Sequence, residues 1–182
     1  MQGLFAEPTE WSTPWMKRVL PLVVELAGAH PAQTVFTRFI PAAAPGGGHG
    51  AWRRYYRRWA AMTLAELDPE FVELVPDLRR FVPPAEVFDK HVYAPWLETD
   101  LHRRLQARHV DTLVVTGAET EICVLATVMG AVDLGYRVIV ATDAICSSAD
   151  ATHDAMIDIY RSRLGMQVET ATVEEILQAW HR

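Results

Sequence analysis

A three-layer αβα fold around a mostly parallel sheet is predicted by three observations. From Pro84 onward, short β-branched apolar runs alternate with segments of helical spacing. Two of these runs, Leu113-Val114-Val115 and Val138-Ile139-Val140, are continuously apolar, as strands buried on both faces are. The 182 residues are half hydrophobic and 22% charged, which suits one globular domain spanning 1–182. Strands alternating with helices imply βαβ crossovers, which cover both faces of the sheet.

The elements follow in order. Pro14 to Gly28 carries Met16, Val19, Leu20, Val23, Val24 and Leu26 at helical spacing. It reads as an amphipathic helix with Thr13 as N-cap and Pro14 at its first position. Thr34 to Phe39 is a β-branched and aromatic strand. Pro41 to Gly50 is a Pro/Ala/Gly loop. Ala51 to Ala61 reads as helical, and Pro69 to Phe81 holds a short helix. Glu86 to His91 is a strand, Thr99 to Arg108 a helix, Asp111 to Thr116 a strand and Glu121 to Leu134 a helix. Tyr136 to Ala141, Asp150 to Leu164, Gln167 to Thr170 and Val173 to Trp180 complete the alternation as strand, helix, strand and helix.

Charge and cysteine usage exclude several function classes. The net charge is −6, without the basic face that a nucleic-acid binder carries. The run Trp52-Arg53-Arg54-Tyr55-Tyr56-Arg57-Arg58-Trp59 is locally basic and aromatic; an aromatic-anchored amphipathic helix accounts for it better than an anion or base site. Two cysteines, Cys123 and Cys146, argue against a disulfide scaffold and for a reduced, cytoplasmic setting. The N-terminus has neither the basic region nor the apolar stretch of a signal peptide, and no segment is long enough to span a bilayer. The histidines form no His-x-x-x-His pair, and neither a metal nor another cofactor is expected.

In open parallel sheets, ligands bind beyond the carboxyl ends of the strands. That rule selects the loops at Arg38-Phe39, Lys90-His91, Gly117 to Cys123 and Asp143 to Ser148. Cys123 falls in the first turn of its helix, where the dipole and free amides favour a thiolate and suit an oxyanion. The competing reading is a small apolar filler between helix and sheet. Lys90 would stabilise a thiolate if the two met; a strand-end lysine is otherwise simply solvated.

The run Val114-Val115-Thr116-Gly117-Ala118-Glu119-Thr120-Glu121-Ile122-Cys123-Val124 resembles the nucleophile segment of the isochorismatase-like cysteine hydrolases, which include nicotinamidases and N-carbamoylsarcosine amidase. The runs Phe88-Asp89-Lys90-His91-Val92-Tyr93 and Ala131 to Val138, then Thr142-Asp143-Ala144 and His153, extend the resemblance over nearly the whole chain. It implies a Rossmann-like sheet and an Asp–Lys–Cys triad that opens small-molecule amides through a thioester-type intermediate. Cys123 would be the nucleophile and Lys90 the lysine. A cis peptide would join Ala118 to Glu119, and the amides of Glu119 and Cys123 would form the oxyanion hole.

The departures matter as well. The family sheet has six strands, and its first, central strand ends in Asp-Met-Gln, with Phe two residues later; here the chain reads Met1-Gln2-Gly3-Leu4-Phe5. The catalytic Asp would therefore stand one residue ahead of Met1, in a strand this sequence lacks. The alternative is a short chain that has lost catalysis. The segment Thr37-Arg38-Phe39-Ile40-Pro41 lacks the Asp-x-His of metal-dependent nicotinamidases. Arg38 would bind a substrate carboxylate or carbonyl, or else form a surface salt bridge. Phe39, Tyr93 and Trp96 are expected along the substrate pocket, with Trp52, Tyr55, Tyr56 and Trp59 as a lid or dimer surface. The resemblance also implies a homo-oligomer, dimer or tetramer. Isochorismatase-type ether cleavage is disfavoured, because that chemistry does not use the cysteine.

Overall fold

The computed structural model describes residues 1–180. In chain order they form α1 (Gly3–Ala6), α2 (Met16–Ala29), β1 (Val35–Phe39), α3 (Ala51–Arg58), α4 (Pro76–Arg79), β2 (Glu86–Lys90) and α5 (Leu101–Ala107). Then come β3 (Thr112–Ala118), a π-helical turn (Thr120–Val124), α6 (Leu125–Asp133), β4 (Arg137–Cys146), α7 (Asp150–Ser162), β5 (Val168–Ala171) and α8 (Val173–Ala179).

Every strand pair is parallel, as the alternation predicts. Helices cover both faces. Along β4, Val138 and Val140 pack against Val128, Ala131, Met156 and Tyr160 of α6 and α7. The next residues, Ile139 and Ala141, face the cluster built by α2 and α8 with Val23, Leu26, Val173 and Ile176. The period-2 alternation of a strand thus divides one apolar run between two helical layers. Thr172 and Glu175 form a capping box at the start of α8.

Three details differ from the sequence expectations. First, α2 starts at Met16: Thr13 caps with its backbone carbonyl, which accepts from the Met16 amide, while its buried hydroxyl has no partner. Thr13 is therefore not a side-chain N-cap, and Pro14 lies ahead of the helix. Second, β4 runs on to Cys146 instead of stopping at Ala141. A register shift between Val115 and Gly117 of β3 lets the two strands pair again at Ala118 and Cys146. Third, the stretch Pro69 to Phe81 holds a 3₁₀ turn and the single-turn α4.

The five strands of the described residues form two sheets, ordered β2-β1 and β3-β4-β5. Between the facing edges lies a slot of about 600 Å³. Its walls include Val35–Thr37 of β1, Thr112–Thr116 of β3, and Val23, Leu26, Leu101 and Leu105 of the covering helices.

Candidate active site

Strand alternation decides which side chains reach the carboxyl end of the sheets. Asp89 and Lys90 are neighbours on β2 and point opposite ways. Asp89 pairs with Arg38 on the outer side, at 2.7 and 2.8 Å. Lys90 is buried, with only 2% of its surface exposed. Its Nζ donates to the carbonyls of Tyr93 (2.8 Å) and Val92 (3.1 Å) and reaches Sγ of Cys123 at 3.4 Å. Burial pulls the lysine down from its ordinary pKa, and the adjacent thiol opposes that fall. Burial likewise pushes the Cys123 thiol up, while the Lys90 ammonium draws it down and Glu119 adds to the rise. Each group is therefore the principal compensation for the other's desolvation.

The turn that presents Cys123 is built by β3 and by anchors downstream. The peptide between Ala118 and Glu119 is cis. Thr120, fully buried, meets Nδ1 of His153 at 2.8 Å, and its carbonyl accepts from the Tyr160 hydroxyl at 3.2 Å. Thr127 donates to the Cys123 carbonyl at 2.7 Å. The flanking carboxylates are engaged away from the sulfur. Glu119 accepts from the Ser148 amide at 3.0 Å, and Glu121 accepts from Ser147 at 2.7 Å and from Thr152. Among the described residues, the hydrogen-bond partner of Sγ is Lys90.

Above the sulfur lies a cavity of about 270 Å³. Cys123, Glu119, Ile122 and Ser148 line one part of it. Phe5, Trp11, Phe39, Tyr55, Trp59 and Tyr93 supply the aromatic remainder, with Glu10 and Ser12. Phe39 and Tyr93, expected along a substrate pocket, line this cavity. Arg38 does not: its guanidinium is taken by Glu73 at 2.6 Å and by Asp89, because it alternates with Phe39 on β1. Trp96 does not line this cavity either. Its Nε1 donates to the Thr127 carbonyl at 2.9 Å, its ring stacks on Tyr136, and it forms part of the slot wall.

Ile122 and Ser148 lie in loops that the sequence selects, whereas sequence reasoning missed Phe5, Glu10, Trp11 and Ser12. These four precede the first long helix, and only the fold brings them to the cavity. The aromatic spacing of α3 was a usable signal for Tyr55 and Trp59, and both prove to be cavity wall. The described residues contain no group of three His, Cys, Asp or Glu able to hold a metal ion; His181 lies outside them. Cys146 is fully buried at the end of β4, and burial pushes its thiol up to about 12.

Comparison with known proteins agrees with this architecture. YwoC of Bacillus subtilis, an uncharacterized isochorismatase family protein, is 34% identical over 112 residues, 58% of this chain and 58% of its own length. The chain thus matches a little over half of that relative. A cysteine hydrolase from Pseudomonas syringae pv. phaseolicola superposes with a TM-score of 0.80 at 27% identity, covering 98% of this chain and 87% of that one. N-carbamoylsarcosine amidase from Thermoplasma acidophilum shares the fold, with a TM-score of 0.75 at 20% identity over 96% and 92% of the two chains. A family model described as the Isochorismatase domain matches residues 1–173, and on that match the chain belongs to the isochorismatase family.

Proposed function

We propose that Cys123 is the nucleophile of a hydrolase that cleaves the C–N bond of a small amide. The observation that carries this reading is the 3.4 Å contact between Lys90 Nζ and Cys123 Sγ at the floor of the cavity. The Lys90 ammonium stabilises the thiolate. The thiolate attacks the substrate carbonyl carbon, and the amides of Glu119 and Cys123 receive the developing oxyanion. The C–N bond breaks, the amine departs with the proton taken from the thiol, and a thioester remains. Water then attacks the thioester, releasing the acid and restoring the thiol.

The proton needs a carrier, and Glu119 and Glu121 are held elsewhere. In this reading the carrier is an Asp at the carboxyl end of a further strand, seated between β1 and β3 and leading into Met1. A cavity of about 110 Å³ that brings Met1 together with Lys90 and Cys123 supports that placement.

The test is a chain extended ahead of Met1 by an aliphatic strand ending in Asp, assayed on a panel of small amides. Turnover that disappears in Cys123→Ala, with a covalent acyl adduct seen by mass spectrometry, supports the reading. An extended chain that hydrolyses no amide, and whose Cys123 does not react with iodoacetamide, overturns it. Cleavage of a vinyl ether that survives Cys123→Ala, with no amide turned over, points instead to ether-type hydrolysis. A second reading, a non-catalytic binding subunit, is favoured by the lack of a carboxylate on Sγ among the described residues. It predicts an inert but well-folded extended chain.

A further inference from the structure

Resting on Cys123 as nucleophile, we propose that the cavity selects a small amide bearing a positive charge, a quaternary or protonated ammonium, beside its scissile group. The wall is aromatic on several sides. The Trp11 ring lies 5.8 Å from Tyr55, 5.9 Å from Phe39 and 6.5 Å from Trp59 between centroids, and Phe5 and Tyr93 continue the surface. Ring faces carry partial negative charge and attract a desolvated cation.

The charged groups in the lining have the same sign. Glu119 stands beside the nucleophile, fixed by the Ser148 amide, and exposed Glu10 stands at the rim. Among the described residues no arginine, lysine or histidine lines the cavity. Lys90 reaches the sulfur while bound to two carbonyls, and Arg38 is committed to Glu73 and Asp89. The charge of Glu119 extends across the cavity: it contributes to the raised pKa of Tyr55, of Tyr93 and of Cys123. The four arginines of α3 are exposed, where solvent screens them, and Arg58 lies over the Trp59 ring at 4.6 Å. A carboxylate substrate would face Glu119 with no cationic side chain in the lining to receive it.

The test needs no turnover. Cys123 of the full chain is modified with two methanethiosulfonates of similar size, one ending in trimethylammonium and one in sulfonate. Each rate is divided by that of a free thiol and followed at the Cys123 peptide by mass spectrometry. The cationic reagent is expected to react faster by about tenfold or more. Glu119→Gln keeps the backbone amide and lowers that ratio. Glu10→Gln, at the exposed rim, lowers it too and serves if the first variant fails to fold. A ratio at or below one in the unaltered chain overturns the proposal, as does a ratio that neither variant lowers. Neutral iodoacetamide separates this failure from that of the nucleophile. Alkylation at Cys123 with a flat charge ratio overturns the cation preference alone; no alkylation overturns the nucleophile reading beneath it.

Discussion

At the scale of single residues, the Lys90–Cys123 contact sets the reactivity of the site. An ammonium beside the sulfur favours the thiolate, so its removal leaves the thiol to the full effect of burial. Lys90→Gln is expected to move the pH profile of iodoacetamide alkylation at Cys123 to higher pH. At pH 8 the rate falls on the order of tenfold. An unchanged profile would separate the lysine from the chemistry. Gly130 on α6 offers a structural counterpart. A Cβ there would stand 2.2 Å from Cδ1 of Trp96, whose Nε1 is held by the Thr127 carbonyl. Gly130→Ala is expected to cost about 1–3 kcal/mol in a urea titration, because the indole cannot yield without losing its hydrogen bond. Cys123 and Lys90 were singled out in the sequence by the family resemblance, and the opposed faces of Asp89 and Lys90 were legible because a strand alternates. That Arg38 spends its charge on Glu73 and Asp89 was not, since Glu73 comes from a distant turn.

At the scale of elements, most helices and strands were legible from periodicity, and their ends less so. The end of β4 was missed because Thr142, Asp143 and Ala144 look like loop residues; they fall in an irregularity of β4, beyond which Ile145 and Cys146 pair again with Gly117 and Ala118, and no local pattern announces it. The division of the sheet has a measurable effect. An aliphatic extension ahead of Met1 is expected to raise the melting temperature and protect amides of β1 and β3 from hydrogen exchange; a Gly/Ser extension of equal length is not. Equal behaviour of the two extensions would show that the slot takes no strand.

At the scale of the whole molecule, the fold gathers a reactive end of the sheet and an aromatic wall from segments far apart in sequence. Phe5 and Trp11 precede the first long helix, Phe39 ends β1, Tyr55 and Trp59 lie on or just after α3, and Tyr93 follows β2. Composition shows that these residues exist but not that they converge, which is why Cys123 was easier to single out than its surroundings. The wall also couples stability to specificity. Trp11 touches Phe5, Phe39, Tyr55 and Trp59, so Trp11→Ala is expected to lower the melting temperature and to reduce the cationic preference at Cys123 together. Loss of one without the other would show that the ring serves packing or recognition alone.

The burial of Cys146 has a practical corollary. Its sulfur is sealed from solvent and kept protonated, with a pKa of about 12, while Cys123 opens onto the cavity. A sulfenic acid formed at Cys123 by peroxide would lack a resolving thiolate from Cys146, and so would proceed toward irreversible oxidation. The same asymmetry makes the native chain its own standard: one equivalent of thiol reagent consumed per folded molecule counts the competent sites in a preparation, and a second equivalent counts the unfolded ones.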